Sequence, residues 1–217
     1  EASLDIDDNV FVDVNIGTVT AEGGDWDDDI SYNCDSAITR LDTIVTLIGS
    51  DQTVYVEVDH NTDADITLGD YTVLAADSSD TAVQMYVCDN DGATVTLGDV
   101  KLESTNNVDL FVCDNQNATI TLGDVTLDQL STGGNTGDIN ILLNGNTDGV
   151  VDMENLTATN SDGSVEVQMG YNYGAMISMD DVILTASSDA SAYIGIGYNA
   201  GEDSSTVIEM GNVTVVT

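Results

Sequence analysis

A ten-residue pattern that recurs eight times along the chain limits its fold more than any other feature. Its plainest copies are ATVTLGDVKL (93–102) and ATITLGDVTL (118–127). In each copy a large residue directly before the turn serves as an anchor: Ile16, Leu41, Leu68, Leu97, Leu122, Met153, Met179 and Met210. Successive anchors are 25 to 31 residues apart. This period is too short for propeller blades and too regular for a β-sandwich.

Each repeat carries three pairs of apolar residues, and each pair has one residue between its members. Around Leu97 they are Met85/Val87, Val95/Leu97 and Val100/Leu102. Alternation with period two indicates strands with one face turned inward. The sequence therefore predicts one all-β domain over residues 1–217, a parallel β-solenoid of about eight coils with three short strands each. The usual handedness of parallel crossovers predicts a right-handed coil.

A polar column supports the same register. Asparagine stands seven residues before most anchors, and the last repeat joins the column if its longer loop is allowed for: Asn9, Asn61, Asn90, Asn115, Asn146, Asn172 and Asn199. Stacked asparagines can bond along a column, so we expect an internal ladder. With Leu41 as anchor, Cys34 fills the position in the second repeat and is expected to be buried and unpaired. Ile30 and Tyr32 fit that repeat only with a one-residue slip, as at a bulge.

The Leu-Gly-Asp-Val turns and the asparagine ladder resemble those of the parallel β-helix proteins, which include bacterial and archaeal surface adhesins, filaments and passenger domains. The resemblance covers the whole chain at the level of architecture and does not select one family. It implies an extracellular or cell-surface protein.

Charge restricts the partners. The chain has 40 acidic and two basic residues, for a net charge of −38. Such a surface repels nucleic acids and anionic membranes, and no apolar run approaches the roughly 20 residues of a membrane span. We therefore expect cations as partners, with neither nucleic-acid binding nor membrane insertion. Improved solubility is an equally simple explanation of the charge.

Acidic residues also recur two positions after the anchors, at Asp70, Asp99, Asp124 and Asp181. Two explanations are open. The carboxylates can cap their own turns, or, at the ~4.8 Å spacing of coils, they can share hard cations such as Ca²⁺. Asp89 and Asp91 in the loop 89–92 form a second candidate site, and the acidic run 25–29 forms a third. Calcium is the cofactor that these patterns favour.

Two cysteines lie at equivalent positions in adjacent repeats. Cys88 and Cys113 each precede their anchors by nine residues. Stacking would bring their Cα atoms within the distance that a disulfide tolerates. We expect a bridge, and with it an oxidising compartment; two free thiols are the alternative.

Catalytic groups are sparse. His60 is the single histidine, and the two basic residues, Arg40 and Lys101, lie in different repeats. The parallel β-helix proteins that this chain resembles include polysaccharide lyases. Lyases of this type use clustered Arg or Lys residues, which this chain lacks. Carboxylate pairs of the kind used by glycoside hydrolases remain conceivable among so many aspartates. We nevertheless expect that the protein is not an enzyme.

The two ends of the repeat array predict an interface. Leu4 and Ile6 are already in register at its start, and Val213 and Val215 complete its last repeat without an evident cap. Placing residue 1 after residue 217 of a second copy would separate the anchors Met210 and Ile16 by 23 residues, close to the shortest internal spacing of 25. A lateral interface is also predicted, at the outward positions Tyr86, Phe111 and Leu142.

These features lead to three expectations about function. The first is a structural subunit of an extracellular filament or surface layer that assembles head to tail. The second is a calcium-dependent adhesin that binds a ligand on its acidic face. The third, which the sequence favours least, is a polysaccharide-active enzyme.

Overall fold

The computed structural model describes residues 2–47, 52–75, 82–130, 137–187, 189–199 and 205–217. Within these ranges the chain is all-β and folds into three parallel sheets of eight strands each. No described helix has the length and hydrophobicity needed to cross a membrane. The predicted solenoid of about eight coils is confirmed.

Consecutive strands belong to different sheets, so each coil contributes one strand to every sheet. Sheet 1 contains β1 (Ala2–Asp7), β4 (Trp26–Ser31), β7 (Thr53–Asp59), β10 (Ala82–Cys88), β13 (Val108–Cys113), β16 (Ile139–Asn144), β19 (Val165–Gly170) and β22 (Ala192–Gly197). Sheet 2 contains β2 (Asp13–Ile16), β5 (Ala37–Arg40), β8 (Asp65–Leu68), β11 (Thr94–Leu97), β14 (Thr119–Leu122), β17 (Val150–Met153), β20 (Met176–Met179) and β23 (Val207–Met210). Sheet 3 contains β3 (Val19–Gly23), β6 (Thr43–Leu47), β9 (Tyr71–Ala75), β12 (Val100–Ser104), β15 (Val125–Gln129), β18 (Leu156–Asn160), β21 (Val182–Thr185) and β24 (Val213–Val216).

The inward columns of the three sheets form one hydrophobic core. In coil 5, Leu110, Ile120 and Leu127 are completely buried, and each lies directly opposite its counterparts in coils 4 and 6. The β-branched and leucine side chains fill these columns because alternate residues of a strand point to the same face. The period-two pattern therefore predicts the core correctly through most of the array.

Coil 2 departs from the predicted register. Arg40, and not Leu41, pairs with Ile16 below and Leu68 above, while Leu41 is 57% exposed. The inward pair of β4 is Asp28 and Ile30, so no bulge is needed. The prediction failed here because it required an apolar anchor, whereas this coil buries a charged one. The step from the ladder residue of coil 1 to that of coil 2 is consequently only 24 residues.

The asparagine ladder is present and runs through all eight coils. Asn33 occupies the position in coil 2 that had been assigned to Cys34. Cys34 lies one residue further on, half-buried and unpaired, where it bridges Val10 and Thr62 in the neighbouring coils. Its predicted burial was therefore wrong, and for the same one-residue error in register.

The residue before each ladder asparagine turns the chain at a corner. In seven coils this residue is not a glycine and still has a positive φ: Asp8, Tyr32, His60, Asp89, Asp114, Tyr171 and Tyr198. Such left-handed conformations cost about 1 kcal/mol or more for a residue with a Cβ. The ladder bonds made by the adjacent asparagine compensate for that cost.

Candidate functional site

Coil 8 leaves part of its apolar interior uncovered. Ile196, Val213 and Val215 belong to inward columns, yet they are 53%, 45% and 46% exposed. Their counterparts in coil 7 are Met169, Val182 and Leu184, which are 1%, 0% and 0% exposed. Within one column, the exposed residues are thus those above which the described residues place no further coil.

Coil 1 leaves the opposite edge of the stack uncovered. Leu4, Val14, Ile16 and Val19 pack against the core but are only half-buried. Ile6 is the exception, at 5% exposure. The predicted interface residues Leu4, Ile6, Val213 and Val215 therefore lie at the two edges, and the structure does not bring these edges together within one chain.

The ladder gives the two edges different chemistry. Asn115 Nδ2 donates to Val87 O in the coil below and to Asn146 Oδ1 in the coil above, at 2.9 and 3.0 Å. Every rung has this direction, so each amide oxygen accepts from the coil below. Among the described residues, Asn9 Oδ1 at the first rung accepts no ladder bond, and Asn199 Nδ2 at the last rung donates only to Met169 O, at 3.0 Å. Coil 1 thus presents an acceptor and coil 8 a donor.

A second ladder runs through the turns and has the reverse direction. The amides of Asp99 and Asp124 each donate to the carboxylate of the coil below, Asp70 Oδ1 and Asp99 Oδ1, both at 3.0 Å. Asp181 Oδ1 accepts from the backbone and the side chain of Asn212, at 3.0 and 2.9 Å. The carboxylates cap the turn of the next coil, which differs from the self-capping considered from the sequence. Asp42 belongs to this column too, and the misplaced anchor of coil 2 hid it.

The turn glycines make room for this ladder. A Cβ on Gly69 would lie 2.5 Å from Asp42 Oδ1, and a Cβ on Gly123 would lie 2.6 Å from Asp99 Oδ1. Both distances are below any tolerable contact, so in these two coils a side chain at the glycine position would displace the aspartate of the coil below. In coils 6 and 7, Glu154 and Asp180 follow the anchors instead of glycine, and the turn ladder continues there. Gly17 occupies the same position in coil 1, where a Cβ would meet nothing within 4 Å.

The predicted calcium ligands do not converge on one point. Asp89 and Asp91 are exposed at a corner, and Asp70, Asp99, Asp124 and Asp181 follow the turn column. Among the described residues, three carboxylates gather within 4.8 Å elsewhere, at Asp29, Glu57 and Asp59. Only Asp29 belongs to a sequence-predicted candidate, the run 25–29. Calcium binding stays a prediction.

Burial and neighbouring charges raise the pKa values of two carboxyl groups on the outward face of β4 and β7. Burial, with the charges of Asp59 and Asp29, raises the pKa of Glu57 above its ordinary value. Burial also raises the pKa of Asp59, although the neighbouring His60, whose Nδ1 lies 2.8 Å from Asp59 Oδ2, opposes the shift. Asp29 Oδ1 is buried without a hydrogen-bond partner in the described part of the chain. The three carboxylates therefore crowd together, and His60 offsets part of their charge at Asp59.

Cys88 and Cys113 form a disulfide on the outward face of sheet 1, with their Cα atoms 4.6 Å apart. They lie directly opposite each other in β10 and β13. The bridge ties coil 4 to coil 5 at a separation of 25 residues.

The predicted lateral residues form a column beside this disulfide. Tyr86, Phe111 and Leu142 lie opposite one another and are half-buried. The rings of Tyr86 and Phe111 stack with centroids 4.7 Å apart, and Tyr55 adds a third ring 5.1 Å from Tyr86. Much of the apolar area of this column is therefore satisfied within the chain.

The basic residues and the histidine do not form a catalytic group. Arg40 is buried with Asp28. Lys101 Nζ lies 2.6 Å from Glu103 Oε1. His60 stacks on Tyr32, with ring centroids 4.9 Å apart. Each lies in a different part of the solenoid.

Comparison of the chain with protein-family models, with curated proteins and with solved structures returned no match. Function is therefore inferred from the geometry of the chain itself.

Proposed function

We propose that this protein is the structural subunit of an extracellular filament or surface layer, and that copies join head to tail by stacking coil 8 of one on coil 1 of the next. The observation that carries the proposal is the direction of the asparagine ladder. Asn199 Nδ2 is a donor at one edge and Asn9 Oδ1 an acceptor at the other. A second copy continues the ladder with the correct polarity in this arrangement.

The same polarity disfavours the symmetric alternative. A two-fold pair formed by two coil 8 edges would place one Asn199 donor against another and close the assembly at two copies. A heterologous contact that repeats without closing a ring generates an open fibre. Uncovered strands with unpaired amides and carbonyls also favour addition of another strand. The apolar columns supply the energy, because Ile196, Val213 and Val215 would lose their present exposure.

The disulfide supports the proposed location. A bridge between Cys88 and Cys113 persists in oxidising compartments such as the cell exterior. Calcium and other cations are the proposed small partners, since hard cations bind carboxylate oxygens and the chain carries a net charge of −38.

Electron microscopy and fibre diffraction test the proposal together. The purified protein should form unbranched fibres of constant width, with a reflection at about 4.8 Å along the fibre axis, because the strands would lie across that axis. The matched variant is Ile196→Asp, which places a charge on an inward column that is already 53% exposed in the single subunit. It should fold normally and form no fibres. Monodisperse rods from the unaltered protein would contradict the proposal and favour a single adhesive module.

A further inference from the structure

The two open edges match each other residue by residue. We propose that the junction continues the internal register without a shift, so that Gly197 of one copy lies opposite Asp7 of the next and the Asn212 side chain packs beneath Gly17. This inference rests on the proposed filament and adds the alignment of its interface. Three independent observations lead to it.

The first observation is the vacant space beneath Gly17. In coils 3 and 5 the corresponding glycines lie over an aspartate oxygen of the coil below, which a Cβ would approach to within 2.6 Å. No atom of the described residues occupies that space at Gly17, so no close contact inside the subunit accounts for this glycine. In a stack, the side chain of Asn212 from the copy below would fill it. Asn212 ends the turn ladder, and its Oδ1 would accept from the Thr18 amide as Asp99 Oδ1 accepts from Asp124.

The second observation concerns charge. The strands of coil 8, β22 to β24, carry a single charged residue, Glu209, in a protein of net charge −38. The strands of coil 1 carry four acids, Asp5, Asp7, Asp13 and Glu22. The continued register places these acids opposite Gly195, Gly197, Val207 and Val216. Within the subunit, by contrast, Asp5 faces Asp29 and Asp29 faces Glu57.

The third observation is the apolar match. In the continued register Ile194 and Ile196 lie opposite Leu4 and Ile6. The same columns inside the chain join Val167 to Ile194 and Leu4 to Asp28. A shift of one residue would turn every inward side chain outward, and a shift of two would break both ladders. The charge pattern and the core pattern thus select one alignment.

Cross-linking can read this alignment directly. The Gly197 and Asp7 positions belong to the outward column that contains Cys88 and Cys113, whose Cα atoms are 4.6 Å apart. A Cβ at Gly197 would meet nothing within 4 Å, so a cysteine fits there. Within one subunit the two positions are about 34 Å apart, seven coils at ~4.8 Å, which prevents an internal bridge.

The experiment uses Asp7→Cys with Gly197→Cys in a Cys34→Ser background, with oxidised glutathione as the oxidant. The control is Asp5→Cys with Gly197→Cys, which removes the same charge but offsets the pair by two residues to about 7–8 Å, beyond the reach of a disulfide. Non-reducing electrophoresis should show multiples of the 22.7 kDa subunit for the first pair and at least tenfold less bridging for the second.

The outcomes separate this inference from the filament itself. Equal or greater bridging in the offset pair would overturn the register, as would fibres in which neither pair bridges, while the filament would stand in both cases. A protein that never associates in any form would overturn the filament and the junction together.

Discussion

Arg40 Nη1 donates to Asp28 Oδ1 at 2.7 Å inside the solenoid, and both side chains are completely buried. Tyr71 donates from its hydroxyl to the other carboxylate oxygen at 2.8 Å and accepts from Trp26 Nε1 at 3.2 Å. Arg40 Nε and Nη2 remain buried without hydrogen-bond partners among the described residues. The pair occupies columns that are apolar in the neighbouring coil, which holds Val56 and Leu68 there.

This relationship predicts opposite results for single and double substitutions. Arg40→Leu alone leaves the Asp28 carboxylate buried without its cation and should cost about 3–5 kcal/mol. Combining it with Asp28→Val restores an apolar column and should recover most of the loss, since such replacements are often neutral. Urea denaturation of the three proteins measures both effects. Equal stability of the single and double variants would show that the ion pair is not coupled as described.

The asparagine ladder should contribute to stability through its buried amides. Asn115→Ala removes a donor to Val87 O and Asn146 Oδ1 and an acceptor for Asn90 Nδ2. The unsatisfied groups should lower the free energy of unfolding by about 1–3 kcal/mol each. Gln116→Ala, at the exposed neighbouring residue, is the control and should change little. A loss no larger than that of the control would contradict a structural role for the ladder.

Gly17 and Gly123 should respond differently to the same substitution. Gly123→Ala places a Cβ 2.6 Å from Asp99 Oδ1 and should destabilise the single subunit. Gly17→Ala meets no atom and should leave the melting temperature of the subunit unchanged or slightly higher. If copies stack as proposed, Gly17→Ala should still slow fibre growth, measured by light scattering. Unaltered growth would remove Gly17 from the junction.

Mild acid should stabilise this protein. The pKa values of Glu57, Asp59 and Asp128 are raised in the folded state, first by burial and then by neighbouring carboxylates. A carboxyl whose folded pKa exceeds its unfolded value favours folding below the unfolded pKa, near 4, and that contribution is lost as pH rises through the folded pKa. The melting temperature should therefore increase as pH falls from 7 towards about 4.5. Glu57→Gln should flatten this profile, and a steady fall in the same interval would contradict it.

Calcium should raise the melting temperature at matched ionic strength. The three carboxylates of Asp29, Glu57 and Asp59 are the closest approach to a ligand set among the described residues. If calcium binds there, the combined Glu57→Gln and Asp59→Asn substitutions should remove most of the shift, whereas Asp99→Asn in the turn column should keep it. Equal stability in calcium and in excess chelator would show that calcium has no specific role.

The fold could be predicted almost completely because two independent columns, apolar and asparagine, share one period. The error in coil 2 has a physical cause. Arg40 and Asp28 compensate each other, and such a pair cannot be identified from a hydrophobic pattern, since each residue looks like an exposed one. Correcting that register moves the ladder position from Cys34 to Asn33 and adds Asp42 to the turn column.

The polarity of the edges was less accessible from sequence. Repetition indicates that asparagines stack, but whether each amide donates upward or downward depends on side-chain rotamers, which the sequence does not encode locally. The vacancy at Gly17 likewise becomes visible only when Gly69 and Gly123 are seen directly above aspartate side chains of the preceding coil. The Asp29, Glu57 and Asp59 group was only partly foreseen, because two of its members look like ordinary outward residues of β7.

The stacking of eight coils at ~4.8 Å has a consequence for the filament as a polyelectrolyte. Each copy would add 38 net negative charges over roughly 38 Å of axis, or about one charge per ångström. B-DNA carries about one per 1.7 Å and already holds a condensed layer of counterions. A fibre of this protein would therefore hold a dense layer of condensed cations. Its growth would depend on the ionic composition of the solution as much as on protein concentration.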